Sequence, residues 1–218
     1  MKRIAIIGAG DLGQQIAHYI SHSDAYKVVG FFDDFGVVGE LRNGVPILGN
    51  ITQIEVLFKE GVFDELLIGI GYKHFEIRKN LFEKYSSIIP FATFIHPTCY
   101  VDDSSKIGKG TIILPRAIID YNAMVQDNVF IYSGTVVGHN TTIESHSILS
   151  LSVVVGGFAT IGKSCFIGLG SLIIDNIRIA NNTFLGIGTN VISNIEEENG
   201  VYVGNPAKYL RVNRNVLK

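Results

Sequence analysis

The chain has 218 residues, enough for one or two domains with a real core. Lys and Arg number 18 against 20 Asp and Glu, a net charge of -2, which argues against a nucleic-acid partner because phosphate binding needs clustered cations. Hydrophobic residues make up 47% and mean hydropathy is +0.30, yet no run approaches the ~20 apolar residues that span a bilayer, so no membrane insertion is expected.

The N-terminus MKRIAIIGAG reads as a strand followed by a glycine turn, not as a signal peptide. With only Cys99 and Cys165, far apart, the expectation is a cytoplasmic protein with free thiols. Residues 1–92 read as one domain. Lys2 to Gly8 is predicted as a strand and Gln14 to Ser23 as a helix. Tyr26 to Phe32 is a second strand, ending in Asp33-Asp34. A short strand from Gly44 to Leu48 and a helix from Thr52 to Gly61 follow. Glu65 to Ile70 is the next apolar strand, then Gly71 and a helix through about Tyr85. Strands alternating with helices predict a parallel, Rossmann-like α/β sheet.

The spacing Gly8-x-Gly10-x-x-Gly13 matches a dinucleotide fingerprint, with an acid about twenty residues on. Glycines allow close backbone approach, a helix N-terminus attracts pyrophosphate, and Asp33 or Asp34 can accept from a sugar hydroxyl. A full nicotinamide site needs two mononucleotide halves, and about ninety residues supply little more than one. Binding a nucleotide-linked substrate through its diphosphate is therefore favoured over hydride chemistry; a purely structural tight turn is the other reading.

Residues 93–218 carry a repeat. An aliphatic residue recurs every sixth position: Val101, Ile107, Ile113, Ile119, Val125, Ile131, Val137, Ile143, Leu149, Val155, Ile161, Ile167, Ile173, Ile179, Leu185 and Val191. Chance gives roughly 10⁻⁷ to 10⁻⁸ for such a run in one register, so the period is real. The residue four places on is usually small, as at Thr111, Ala117, Thr141 and Cys165, and reads as a corner residue. Glycine often follows the aliphatic, as at Gly108, Gly138 and Gly156. A period of six fits neither helix nor antiparallel strand. It predicts a left-handed parallel β-helix of about five three-sided coils, in which residues eighteen apart stack.

Of the six histidines, His139 in Val137-Gly138-His139-Asn140 falls two residues after an inward aliphatic and should point outward from a rigid coil. Gly157, eighteen residues on, should leave open space above it. His146 reads as a surface residue and His96 as structural. His18 and His22 are four apart on a helix but lack a third partner, so no metal is expected. A zinc-dependent β-helical hydratase would need three histidines, and the repeat holds only His139 and His146.

The repeat and the tail Gly200-Val201-Tyr202-Val203-Gly204-Asn205-Pro206-Ala207-Lys208 resemble the hexapeptide-repeat acyltransferases. With its small Rossmann-like domain, the whole chain resembles the sialic acid O-acetyltransferase family, which includes the bacillosamine- and perosamine-pathway N-acetyltransferases. The resemblance implies an acetyl-CoA-dependent sugar N-acetyltransferase working as a homotrimer, with O-acetylation of sialic acid as the alternative. It implies that the first domain grips a nucleotide-linked amino sugar through Gly10, Asp11, Leu12, Asp33, Asp34 and Gly71. It makes His139 the general base and points to Gly157, Leu169 and Ile187 for acetyl-CoA; Lys208 is positioned to meet a CoA phosphate. Phe130, Tyr132 and Phe158 are expected to be covered in the trimer. Many members place an acid directly after the histidine, where this chain has Asn140; Asp120 is a possible substitute from the coil below. A nicotinamide oxidoreductase using the β-helix for assembly, or a non-catalytic scaffold, are the readings from other classes.

Overall fold

The computed structural model describes residues 1–213, which divide into two compact units, Met1–Phe94 and a second that starts at Ile95. No helix among the described residues is long and apolar enough to cross a membrane.

The first unit is a five-stranded sheet of β1 (Lys2–Ile7), β2 (Tyr26–Phe32), β3 (Leu41–Arg42), β4 (Val45–Gly49) and β5 (Glu65–Ile68), in the order β3-β4-β2-β1-β5. All neighbours are parallel except β3 and β4. The sequence reading starts the fourth strand near its place but passes over β3, which is two residues long and has no apolar run. The signal for it is the Asn43-Gly44 pair, whose φ angles of 49° and 80° make the turn that joins two antiparallel strands.

Three helices complete the unit: α1 (Asp11–Ile20), α2 (Ile54–Lys59) and α3 (Phe75–Tyr85). Helix α1 starts three residues before the predicted Gln14, because Gly10 is its N-cap and Asp11 places a carboxylate in the first turn, where the helix dipole favours it. Its apolar stripe, Ile16, Ala17 and Ile20 beside Gly13, is buried. A separate core gathers Ala5, Ile7, Phe32, Leu66 and Ile68 of the sheet with Ile54, Phe63 and Phe82.

Where β1 passes into α1, three glycine backbones interlock. A Cβ on Gly13 would lie 1.9 Å from the Gly8 carbonyl oxygen, and one on Gly69 would lie 2.6 Å from the Gly13 Cα. Gly8 itself has φ 99°, which a side chain rarely adopts. Close packing of loop, helix and strand is therefore the reason for Gly13.

The second unit is a parallel β-helix. Two-residue strands stack at a register of eighteen, for example Ile118 on Val136 and Val136 on Val154. Its first face runs from Tyr100–Val101 through Ile118–Ile119, Val136–Val137, Val154–Val155 and Leu172–Ile173 to Asn190–Val191. The second face starts at Lys106–Ile107 and ends at Arg178–Ile179. The third starts at Phe94–Ile95 and ends in an antiparallel hairpin of Gly200–Val203 and Lys208–Val212. From Ile113 to Val191 every aliphatic of the period-six series is buried in a single core.

The small residue of each hexad does more than fit a corner. The hydroxyls of Thr111, Thr135, Thr141 and Ser147 donate to the carbonyls of Gln126, Ser150, Gly156 and Gly162, at 2.7–2.8 Å, each fifteen residues ahead on the next coil. Corner carbonyls that the strand ladder leaves unmet are thus satisfied inside the coil. Near the end of the stack, Thr183 and Thr189 turn back to Ala180 and Gly186 of their own coil. From Gly110 to Gly188 each corner also holds one residue in the left-handed region, most often asparagine, as at Asn122, Asn128, Asn140, Asn176 and Asn182.

The outward residues of the first face, Tyr100, Ile118, Val154 and Leu172, form an exposed apolar stripe. Phe130, expected to need a partner copy to cover it, is 1% exposed within the chain.

Gly13→Ala should destabilise the first unit by more than ~3 kcal/mol, since backbone must move to admit the methyl group. Gly10→Ala, whose Cβ would meet nothing within 4 Å, should cost about 1 kcal/mol or less, as a cap change. Urea unfolding of the two variants checks the contrast.

Candidate functional site

The order β2-β1-β5 sets three strand exits side by side at one sheet edge: Gly8–Leu12 after β1, Asp33–Phe35 after β2, and Gly69–His74 after β5. Ligands of open α/β sheets bind at this carboxyl edge. The six residues expected to hold a substrate, Gly10, Asp11, Leu12, Asp33, Asp34 and Gly71, all lie on these exits. Gly10 faces open space, and a Cβ on Gly71 would touch only Leu12, at 3.7 Å.

The two acids differ in what they are free to do. Asp33 is taken up by backbone: Oδ2 accepts from the Ala9 N–H at 2.8 Å and Oδ1 from the Phe35 N–H at 2.9 Å. It braces the glycine turn against the loop after β2, as a structural anchor. Asp34 is exposed, and its Oδ1 accepts from the Ile51 N–H at 2.8 Å. Phe35 beside it is 99% exposed.

Arg78 of α3 escaped the sequence reading. Its side chain is wholly buried, and Nη1 donates to the Ile68 carbonyl at 2.8 Å, with the Ile70 carbonyl at 3.5 Å. It ties down the exit of β5 from beneath. An arginine on a helix surface gives no sequence sign of burial.

In the β-helix, His139 and Asn140 form the corner that follows Val136–Val137. Coil stacking holds this corner: Gly138 N–H donates to the Val155 carbonyl, Asn140 N–H to that of Tyr121, and Phe158 N–H to that of His139, at 2.8–2.9 Å. The imidazole is exposed, and its Nδ1 lies 3.1 Å from Asn140 Oδ1. An amide oxygen can only accept, so Nδ1 carries the proton and Nε2 the lone pair. The ring packs T-shaped with that of Phe158, centroids 5.1 Å apart at 90°. Asn140 has φ 57°, so one residue both turns the corner and sets the tautomer.

Gly157 is not a vacancy above His139. A Cβ there would sit 2.6 Å from Nε2 and 2.7 Å from Cε1, so the imidazole itself lies against the glycine. Asp120 does not replace the missing acid; its Oδ1 accepts from the Tyr121 N–H at 2.8 Å. His146 is buried, 9% exposed, with Nδ1 2.9 Å from Asn128 Nδ2, and so is a packing residue and not a surface one. Cys165 is fully buried, its thiol pushed up to about 12 by desolvation, so it is inert packing.

Leu169 and Ile187 stack in the corner before the first face, where the Gly188 N–H donates to the Leu169 carbonyl at 2.8 Å. Their side chains are 47% and 79% exposed. His139 and Gly157 occupy the corner after that face. Lys208 begins the last strand of the hairpin and is exposed. No group of three or more His, Cys, Asp or Glu suited to a metal occurs among the described residues.

Residues 3–85 match the family described as the PglD N-terminal domain, and residues 92–202, half the chain, that described as the GMPPB C-terminal domain. The chain belongs to the family of the GMPPB C-terminal domain, with a PglD-type N-terminal domain before it. No curated protein matches it significantly in sequence. Solved structures share the fold of this family member over nearly all its length. The acetyltransferase domain of PglB from Neisseria gonorrhoeae FA1090 superimposes with a TM-score of 0.88 at 24% identity, covering 96% of this chain and 100% of that one. PerB from Caulobacter crescentus, in complex with CoA and GDP-perosamine, gives 0.88 at 23%, covering 97% and 98%. WeeI from Acinetobacter baumannii AYE gives 0.79 at 20%, covering 96% and 100%.

Gly157→Ala should leave unfolding unchanged within ~1 kcal/mol yet push the ring of His139 off its seat. The His139 imidazole resonances in NMR should shift, while those of His18 and His22 stay in place.

Proposed function

We propose that the protein transfers the acetyl group of acetyl-CoA to the amino group of a nucleotide-linked amino sugar, with His139 as general base. The observation that carries the reading is the pairing of His139 Nδ1 with Asn140 Oδ1, 3.1 Å apart, on an exposed ring. An amide oxygen accepts, so this pairing favours the proton on Nδ1 and leaves the Nε2 lone pair to act as base, in a corner held by backbone hydrogen bonds between coils. Nε2 takes the proton from the attacking amine as nitrogen adds to the thioester carbonyl. The tetrahedral intermediate collapses, the C–S bond breaks, and the proton passes to the departing CoA thiolate. Similarity over nearly the whole chain to the acetyltransferase domain of PglB and to a perosamine N-acetyltransferase in complex with CoA and GDP-perosamine supports the choice of substrates.

The nucleotide belongs to the first unit, through Gly10, Asp11, Leu12, Asp34 and Gly71, with Asp33 supporting the loops. The donor belongs to the β-helix, along Gly157, Leu169 and Ile187, with Lys208 available to a CoA phosphate. The first face carries His139 along one edge and Leu169 with Ile187 along the other, at most about 20 Å apart along the coil. In a homotrimer, a heterologous contact would cover the apolar stripe of this face and bring unlike edges of neighbouring copies together.

His139→Ala should lower kcat by ~10²–10⁴, read as thiol release from acetyl-CoA with Ellman's reagent and a panel of nucleotide amino sugars. Asn140→Asp keeps the corner, because aspartate tolerates the left-handed region, and should move the acidic limb of the rate profile to higher pH, because a carboxylate favours the imidazolium. Near-normal turnover without His139 would remove it as the base. Light scattering at micromolar concentration should give three times the chain mass, and Leu172→Glu on the apolar stripe should dissociate the assembly.

A further inference from the structure

The three strand exits at the sheet edge are sorted by charge. Those of β1 and β2 carry Asp11, Asp33 and Asp34 and no cation. The exit of β5 carries Lys73 and His74 in a short 3₁₀ turn, Tyr72–His74, and no acid. Lys73 and His74 are both exposed. Because β1 lies between β2 and β5, the acidic and cationic ends stand on opposite sides of the glycine turn.

We propose that Lys73 and His74 form the diphosphate subsite of the acceptor, so that the ligand lies across the edge with its nucleoside towards Asp34 and its phosphates towards β5. The proposal rests on the acceptor being nucleotide-linked. The usual place for a diphosphate, the glycine turn itself, is compromised here. The Ala9 N–H already serves the Asp33 carboxylate, and Asp11 puts a second negative charge in the first turn of α1. A diphosphate there would face like charges on both sides. On the side of β5 the field has the opposite sign. Arg78 adds to it from beneath: its guanidinium draws the Ile68 and Ile70 carbonyls inward, so their negative ends do not line the loop. At the far end, Asp34 and the fully exposed ring of Phe35 offer what a nucleoside needs, an acceptor for hydroxyl or base N–H groups and an apolar face.

The test is calorimetric binding to the full-length protein of UDP, GDP and dTDP, each against its nucleoside. For the base that fits, the diphosphate should bind more tightly, and that advantage should shrink as salt is raised. Lys73→Gln should weaken the diphosphate about tenfold and leave nucleoside and acetyl-CoA affinities unchanged; Lys73→Arg should keep most of the advantage. If Lys73→Gln leaves the ratio of diphosphate to nucleoside affinity as it was, the subsite is elsewhere and the proposal falls while the acceptor class stands. If, in addition, Asp11→Asn strengthens the diphosphate, the phosphates lie on the glycine turn. If the wild-type protein binds none of these six compounds, the nucleotide-linked acceptor itself is wrong, and the subsite with it.

Discussion

The structure depends on the close stacking of one coil on the next. Each turn of the β-helix must meet its neighbour through backbone N–H and carbonyl groups, and the corners, where the strand ladder lapses, must be closed by other means. Threonine and serine hydroxyls reach fifteen residues ahead to do this from the inside. Buried carbonyls left without partners would each cost on the order of 1–3 kcal/mol, which explains why a core of aliphatics carries a regular polar residue in every few hexads. A solenoid built this way has little freedom to shear, since each repeat is locked to both neighbours.

That rigidity orders the surroundings of His139. The ring is exposed, yet it has a seat on Gly157, an edge contact with Phe158 and a hydrogen bond that selects its tautomer. A histidine on a loop would lack this ordering. Asn140 is bound to the corner by its backbone conformation first, and its amide orients the imidazole as a consequence.

The first unit solves a different packing problem with related means. Gly8, Gly13 and Gly69 let a turn, a helix and a strand come within backbone contact. The Asp33 carboxylate then ties the turn to the loop after β2, and Arg78 ties the exit of β5 from below. Two charged groups thus act as fasteners and leave Asp34, Phe35, Lys73 and His74 as the exposed chemistry of the edge.

The β-helix was legible in the sequence because its period is local: an aliphatic every sixth residue from Val101 to Val191 places each side chain inside without reference to anything distant. The strand–glycine–helix start and the alternation of elements in the first unit were legible for the same reason. His139 could be singled out, since its phase relative to Val137 makes it point outward. What the sequence could not supply were contacts made across the stack or the sheet. Gly157 reads as a gap until the ring of His139 is seen lying on it. Asp33 and Asp34 read as an equivalent pair, and His146 as a surface residue, until their partners are known. Arg78 looks like any helical arginine until the carbonyls of Ile68 and Ile70 are found around it. Periodicity along the chain tells which way a side chain points, and so the sequence alone determined the repeat, the core and the outward histidine; what each side chain meets there is a matter of three-dimensional neighbours, and only the tertiary structure decided it.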